Sequence, residues 1–148
     1  MNFNNQTIGL AGDHAGCVMK EIIRKHLEKR GLQYIDFGTD STESCDYPDY
    51  AHKLGRAIEN GEVEMGMATC GTGNGMAIVL NKYPHVRAGL CWNKEVAGLI
   101  SAHNKANVLV LPARFLTETE AVEIIDSYLD TPFEEGRHQQ RIDKIECI

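Results

Sequence analysis

The stretch Met65-Gly66-Met67-Ala68-Thr69-Cys70-Gly71-Thr72-Gly73-Asn74-Gly75-Met76-Ala77-Ile78-Val79-Leu80 decides how this chain is read. Its first five residues have the pattern of a buried strand, and Cys70 closes the run. Glycine then recurs at alternate positions up to Gly75, and helix-compatible residues follow directly. Strand, glycine loop and helix in that order put Cys70 at the carboxyl end of the strand and the loop at the start of the helix. The first N–H groups of a helix lack partners within it and can hold a negatively charged oxygen. The same positive end favours thiolate over thiol in a neighbouring cysteine. A potential base beside an anion cradle is therefore the chemical expectation for this loop.

Apolar runs alternate with helix-period segments on either side of it. Thr7 to Ala11 reads as a first strand. Val18 to Arg30 puts Met19, Ile22, Ile23, His26 and Leu27 on one helical face, and Gly31 ends that helix. Gln33 to Phe37 is a second strand, followed by a polar loop from Gly38 to Pro48 and a helical stripe of Tyr50, Leu54, Ala57 and Ile58. After the glycine loop a short helix runs to Lys82. Val86 to Cys91 then reads as the fourth strand, Asn93 to His103 as a helix, and Asn107 to Leu111 as the fifth strand. Thr117 opens a helix carrying Ala121, Ile124, Ile125, Tyr128 and Leu129, and with Glu120 it forms a capping box.

Five strands separated by helices, several continuously apolar, predict an α/β fold: a three-layer α/β/α sandwich on a five-stranded parallel sheet. The expected strand order is the doubly wound, flavodoxin-like 2-1-3-4-5. It sets the ends of strands one and three side by side at a switch point, where such folds bind ligands. Asp13-His14 and Cys70 to Gly75 are thereby expected to converge.

A chain of 148 residues fits one domain with a full core, and 43% hydrophobic with 24% charged residues is ordinary for a globular protein. A net charge of −6 argues against a general nucleic-acid binder, whose affinity comes from basic contacts to phosphates. No apolar run has the length to cross a bilayer, and the first seven residues read as neither a signal peptide nor a lipidation motif. The expectation is a cytoplasmic protein without membrane or nucleic-acid partners. Five cysteines form no CxxC pair or zinc-finger spacing, so no metal site is expected and the thiols are read as free in a reducing cytosol. Cys17, Cys91 and Cys147 are read as small buried hydrophobes.

The glycine loop departs from GxGxxG because Met76 stands where the third glycine belongs, and no GK[ST] phosphate loop is present. Glycines kept only for a tight turn are the plainer reading. Asp13 has the type and position of a helix cap, whereas His14 has no capping reason and suits phosphate or sugar hydroxyls. His103-Asn104 is expected to end the fourth helix at the same sheet edge as Cys70, although a histidine there also pairs with the helix dipole. Arg137, His138 and Arg141 form a basic patch in an acidic chain. The two arginines are one helical turn apart and suit one anion, the alternative being a solvated helix.

The motifs Gly12-Asp13-His14-Ala15-Gly16, Asp46-Tyr47-Pro48 with Tyr50-Ala51, Cys70 to Gly75, His103-Asn104 with Asn107-Val108-Leu109, and Gly136 to Arg141 stand in the order of the ribose-5-phosphate isomerase B family. The chain resembles that family, which includes galactose-6-phosphate isomerase subunits, over nearly its whole length. The resemblance implies a single sugar-phosphate isomerase domain over residues 1–148, interconverting an aldose and a ketose phosphate without metal or organic cofactor. It implies Cys70 as the base that moves a proton from C2 to C1 through a cis-enediolate; Thr72, two residues on, is within geometric reach to orient that thiolate by a hydrogen bond. It implies His103 as the acid that opens the cyclic sugar, and Asp13 and His14 as sugar contacts. Gly71, Gly73, Asn74 and Gly75 would hold the enediolate oxygen, Asn104 and Arg114 would complete the shell, and Arg137 and Arg141 would bind phosphate. Family members are dimers or tetramers with sites built from two subunits, so a homodimer or homotetramer with its C-terminal helix on a partner is expected. Relatives lacking the cysteine use a glutamate just past the loop; Met76 puts this chain with the cysteine-dependent branch. Ribose 5-phosphate is the expected substrate, a six-carbon allose or galactose 6-phosphate the alternative. A non-catalytic sugar-phosphate sensor would use the loop and the arginines but neither the thiol nor His103.

Overall fold

The computed structural model describes residues 6–146, so Cys147 lies outside it. The chain runs β1 (Thr7–Gly12), a 3-10 turn (His14–Gly16), α1 (Cys17–Lys29), β2 (Gln33–Asp36), α2 (Tyr47–Glu59), β3 (Met65–Cys70) and α3 (Asn74–Leu80). It continues through β4 (Ala88–Leu90), α4 (Lys94–Asn104), β5 (Val108–Pro112), a second 3-10 turn (Ala113–Phe115), α5 (Glu118–Asp130) and α6 (Arg137–Ile142). The five strands are parallel, and the layers are those expected. No helix among the described residues is long and apolar enough to cross a membrane.

Alternation along the strands builds two cores. Ile8, Leu10, Met65, Met67, Leu109 and Leu111 point to one face and pack with Met19, Ile23 and Leu27 of α1, Ala97 of α4, and Ala121, Ile124, Ile125, Tyr128 and Leu129 of α5. Ala11, Ala68, Cys70, Val108 and Val110 point to the other face, against Ala51, Leu54, Ala57 and Ile58 of α2 and Met76 and Leu80 of α3. Truncating a fully buried leucine such as Leu109 to alanine costs about 2–5 kcal/mol in such a core. Helix ends follow local chemistry. Thr117 and Glu120 form the expected reciprocal capping box of α5, and the Asn93 side chain accepts from Val96 N–H to start α4.

The strand order is β2-β1-β3-β5-β4, which corrects the expected 2-1-3-4-5. β5 pairs with β3 from Gly66↔Val108 to Cys70↔Pro112, and β4 pairs outside β5. The reason lies in burial. β5 is apolar and buried throughout its five residues, as a central strand must be, whereas β4 has only three residues with partly exposed ends. The path to an edge strand and back also sets the layers. With right-handed crossovers, outward steps put α2 and α3 on one face, and the return from β4 to β5 puts α4 on the face of α1 and α5. The expected switch point survives the change, because β1 still pairs with β3 in register up to Gly12↔Thr69.

Charged groups clamp α1 to α5. His26 Nε2 lies 2.6 Å from Asp126, Arg30 donates to Asp126 at 2.8 Å, and Arg30 also holds Asp130 at 2.7 Å. Burial pushes the Asp126 carboxyl up, but the hydrogen bonds from His26 and Arg30 outweigh it and hold the group below its ordinary value.

Candidate active site

At the carboxyl ends of β1, β3 and β5, a shallow cleft of about 200 Å³ gathers Asp13, His14, Ala15, Tyr47, Cys70, Gly71, Thr72, Gly75 and Arg114. These include seven of the residues expected at the site. Cys70 ends β3 with its side chain against the α2/α3 core, and only 5% of the residue is exposed. Gly73 and Asn74 belong to the same loop. Gly73 is buried beneath it at φ +78°, a left-handed conformation that a side chain rarely adopts, and Asn74 is the first residue of α3. The Thr72 hydroxyl oxygen accepts from Asn74 N–H at 3.3 Å, which shapes the turn into α3. Gly71 O accepts from Arg114 N–H at 3.0 Å, so the β3 and β5 loops are joined through their backbones.

Asp13 reconciles its two readings. One carboxylate oxygen caps the turn after β1 by accepting from Gly16 N–H at 3.0 Å, while the residue still lines the cleft. His14 is oriented from behind: Cys45 N–H donates to its Nδ1 at 3.2 Å, with the Cys45 sulfur 3.8 Å from the same nitrogen. A neutral His14 with Nδ1 accepting carries its proton on Nε2, which makes that edge a donor for a ligand oxygen. Tyr47, which spacing leaves unassigned, stands at the cleft as the first residue of α2. Its ring crosses Gly75 so closely that a β-carbon at 75 would meet it at 2.7 Å. The expected polar loop therefore ends one residue before Tyr47, not at Pro48.

His103 and Asn104 are not at this edge, contrary to the expectation. A helix that follows a parallel strand runs back along the sheet, so the end of α4 reaches the amino edge. Asn104 O accepts from the Arg87 guanidinium at 3.1 Å, and Arg87 immediately precedes β4. The two edges are separated by at least the length of β5, about 13 Å at strand rise. Arg137 and Arg141 also lie away from the cleft, exposed on α6, which packs beside α4. His138, buried between them, stacks on His103 with ring centroids 4.3 Å apart and planes 9° from parallel.

Glu134 faces both rings, and its atoms with those of His103 and His138 lie within 4.8 Å of one another. Parallel rings point their in-plane lone pairs side by side rather than at one ion, so this is a hydrogen-bonded cluster without the convergence that metal ligation requires. Spacing does not single out Glu134 as a partner of these rings, although its place four residues before His138 was the available signal. Two of the three thiols expected as small buried hydrophobes can be placed. Cys17 and Cys91 are buried and free, and burial pushes Cys91 up to about 12.

A family model described as Ribose/Galactose Isomerase matches residues 8–145. Ribose-5-phosphate isomerase B of Escherichia coli K12 is 41% identical over 141 residues, covering 95% of either chain. The Thermotoga maritima ribose 5-phosphate isomerase B structure superposes with a TM-score of 0.92 at 45% identity, covering 95% of this chain and 97% of that one. The Mycoplasma genitalium ribose-5-phosphate isomerase B structure, which holds ribulose 5-phosphate, superposes with a TM-score of 0.89 at 39% identity over 94% and 93% of the two chains. Matched along nearly its full length in sequence and in fold, the chain belongs to the ribose/galactose isomerase family.

Proposed function

We propose that this protein interconverts D-ribose 5-phosphate and D-ribulose 5-phosphate in the cytoplasm, where its free thiols stay reduced. One observation carries the reading: a thiol at the end of β3 on the floor of a cleft, with Asp13, His14 and Arg114 around it. A C–H next to a carbonyl is weakly acidic, so its removal needs a positioned base and stabilisation of the oxygen that gains charge. Cys70 thiolate takes the proton from C2 of the open-chain aldose and returns it at C1. The Gly71 to Gly75 backbone N–H groups hold the cis-enediolate oxygen between the two transfers while the hydroxyl proton passes from O2 to O1, with Thr72 orienting the sulfur. Asp13 and the His14 Nε2–H bind hydroxyls, and Arg114 closes the cleft.

The groups at the amino edge enter from a second copy of the chain. An isologous dimer sets the amino edge of each copy on the carboxyl edge of the other and makes two equal sites. His103 of the second copy then protonates the furanose ring oxygen as its bond to C1 breaks, the C1 hydroxyl releasing its proton to solvent to leave the aldehyde. Asn104 binds beside it, and Arg137 and Arg141 clamp the phosphate. The α6 helix packs on that partner. Phosphate bound far from the reacting carbons supplies energy that fixes them against the sulfur.

A coupled assay of the purified protein with ribose 5-phosphate tests the reading, with turnover expected and its absence ending the assignment. The family description also covers galactose isomerases. A kcat/KM for allose or galactose 6-phosphate above that for ribose 5-phosphate would move the assignment to a six-carbon sugar.

A further inference from the structure

Glu134 stands outside every role given so far. Its backbone N–H donates to Ala102 O at 3.0 Å, which ties it to the last turn of α4 beside His103. Its Oε2 lies 3.1 Å from His138 Nε2 and 3.8 Å from His103 Nε2. An ionised carboxylate only accepts, so His138 Nε2 carries the hydrogen of the shorter contact. His138 is 6% exposed, so its ring has little freedom once that bond is made, and the His103 ring lies flat on it. Glu134 therefore sets the plane of His138 directly and the plane of His103 through it, with its charge facing the Nε2 edge of both.

We propose that Glu134 is a positioning residue for ring opening, holding His103 in the one orientation from which it delivers its proton. The inference rests on the reading of His103 as the ring-opening acid. An imidazole at a helix end, with its side chain 38% exposed, has several rotamers open to it. The stack and the carboxylate together select one. Misplacement of a reacting group by about 1 Å costs on the order of 100-fold, which is the size of effect available to such a device.

The chemistry of the two sugars separates this role from a structural one. The C5 oxygen of ribulose 5-phosphate is esterified, so the ketose forms no furanose, and its enolisation at C1 needs the base but no ring opening. Two rates are measured: conversion of ribose 5-phosphate, and deuterium uptake from D2O at C1 of ribulose 5-phosphate. Glu134→Ala is expected to slow conversion roughly 10- to 100-fold while deuterium uptake stays close to the wild-type rate. Glu134→Gln keeps an acceptor for His138 and is expected to restore most of the conversion. Equal losses in both rates, or no loss in conversion, overturns the proposal. A wild-type protein active on neither sugar overturns the isomerase reading instead. In that event ring-to-ring nuclear Overhauser contacts still decide the positioning: His103–His138 contacts are expected in wild type and Glu134→Gln and absent in Glu134→Ala, and their persistence in Glu134→Ala overturns it.

Discussion

The groups proposed to act at the carboxyl edge of the sheet hang on short loops: Asp13 and His14 after β1, Cys70 to Gly75 after β3, and Arg114 after β5. At the amino edge they hang on helices, with His103 and Asn104 ending α4 and Arg137 and Arg141 on α6. The first set is fixed by strand register and by the Gly71–Arg114 backbone bond. The second is fixed by the contact of α4 with α6, through stacked rings and a shared carboxylate. Strand direction sorts polar residues in a parallel sandwich. A residue that follows a strand and one that ends a helix come out on opposite edges, and no loop adjustment in a single chain unites them. Under the proposed roles, a base at one edge and an acid at the other call for two copies to make one site.

The largest effect expected from this division is at its centre. Cys70→Ala should lower kcat by about 10²- to 10⁴-fold with little change in KM, as removal of a base that acts in the transition state does. Cys91→Ala, on the other face and with its thiol held protonated by burial, should keep full activity and cost about 1 kcal/mol of stability in urea melts. Equal activity losses for the two would erase the distinction between them.

Mixing variants tests the two-copy site itself. Cys70→Ala and His103→Asn are each expected to be nearly inactive. Refolded together one to one, they should recover roughly a quarter of wild-type activity, since half the dimers are mixed and each then has one intact site of two. No recovery would mean that both edges serve separately. Arg137→Ala and Arg141→Ala sharpen the amino-edge assignment. Each should raise KM for ribose 5-phosphate by roughly 10- to 150-fold, the equivalent of about 1.5–3 kcal/mol for a charge-assisted hydrogen bond. Neither should alter weak turnover of an unphosphorylated pentose.

The smallest effect belongs to the α1–α5 clamp, remote from the cleft. Asp126→Asn should leave kcat unchanged and cost about 1 kcal/mol or less, because the pair is half open to solvent. That is a fall of roughly 2–4 °C in Tm per kcal/mol for a chain of this size. The folded carboxyl titrates below its ordinary value of 3.8, so its contribution is complete above that value and is lost as pH falls through the lowered one. The stability gap between wild type and variant should narrow as the pH falls below 3.8 and through the lowered folded value.

The parts legible in the sequence were those decided locally. The glycine loop after an apolar run and the Thr117–Glu120 capping box carry their geometry in adjacent residues, and both form where expected. The β1–β3 switch point follows from the same local reading. Strand order was harder, because only the relative burial of Ala88–Leu90 and Val108–Pro112 separates an edge strand from a central one. The edge reached by His103 was within reach of sequence logic, since a helix after a strand must run backwards. Glu134 was illegible for another reason: its partner His103 is 31 residues earlier, and the two meet only where the segment before α6 folds back onto the last turn of α4.

The bond between Arg114 N–H and Gly71 O has a mechanical consequence. Arg114 is exposed and sits in a segment that would ordinarily fray, yet its amide is bracketed to the sulfur's own loop. The spacing between the Arg114 backbone and the loop that carries the thiol is therefore governed by the stiffness of the central strands and not by loop breathing, so the mouth of the pocket can keep its calibre when the solvent around it is perturbed.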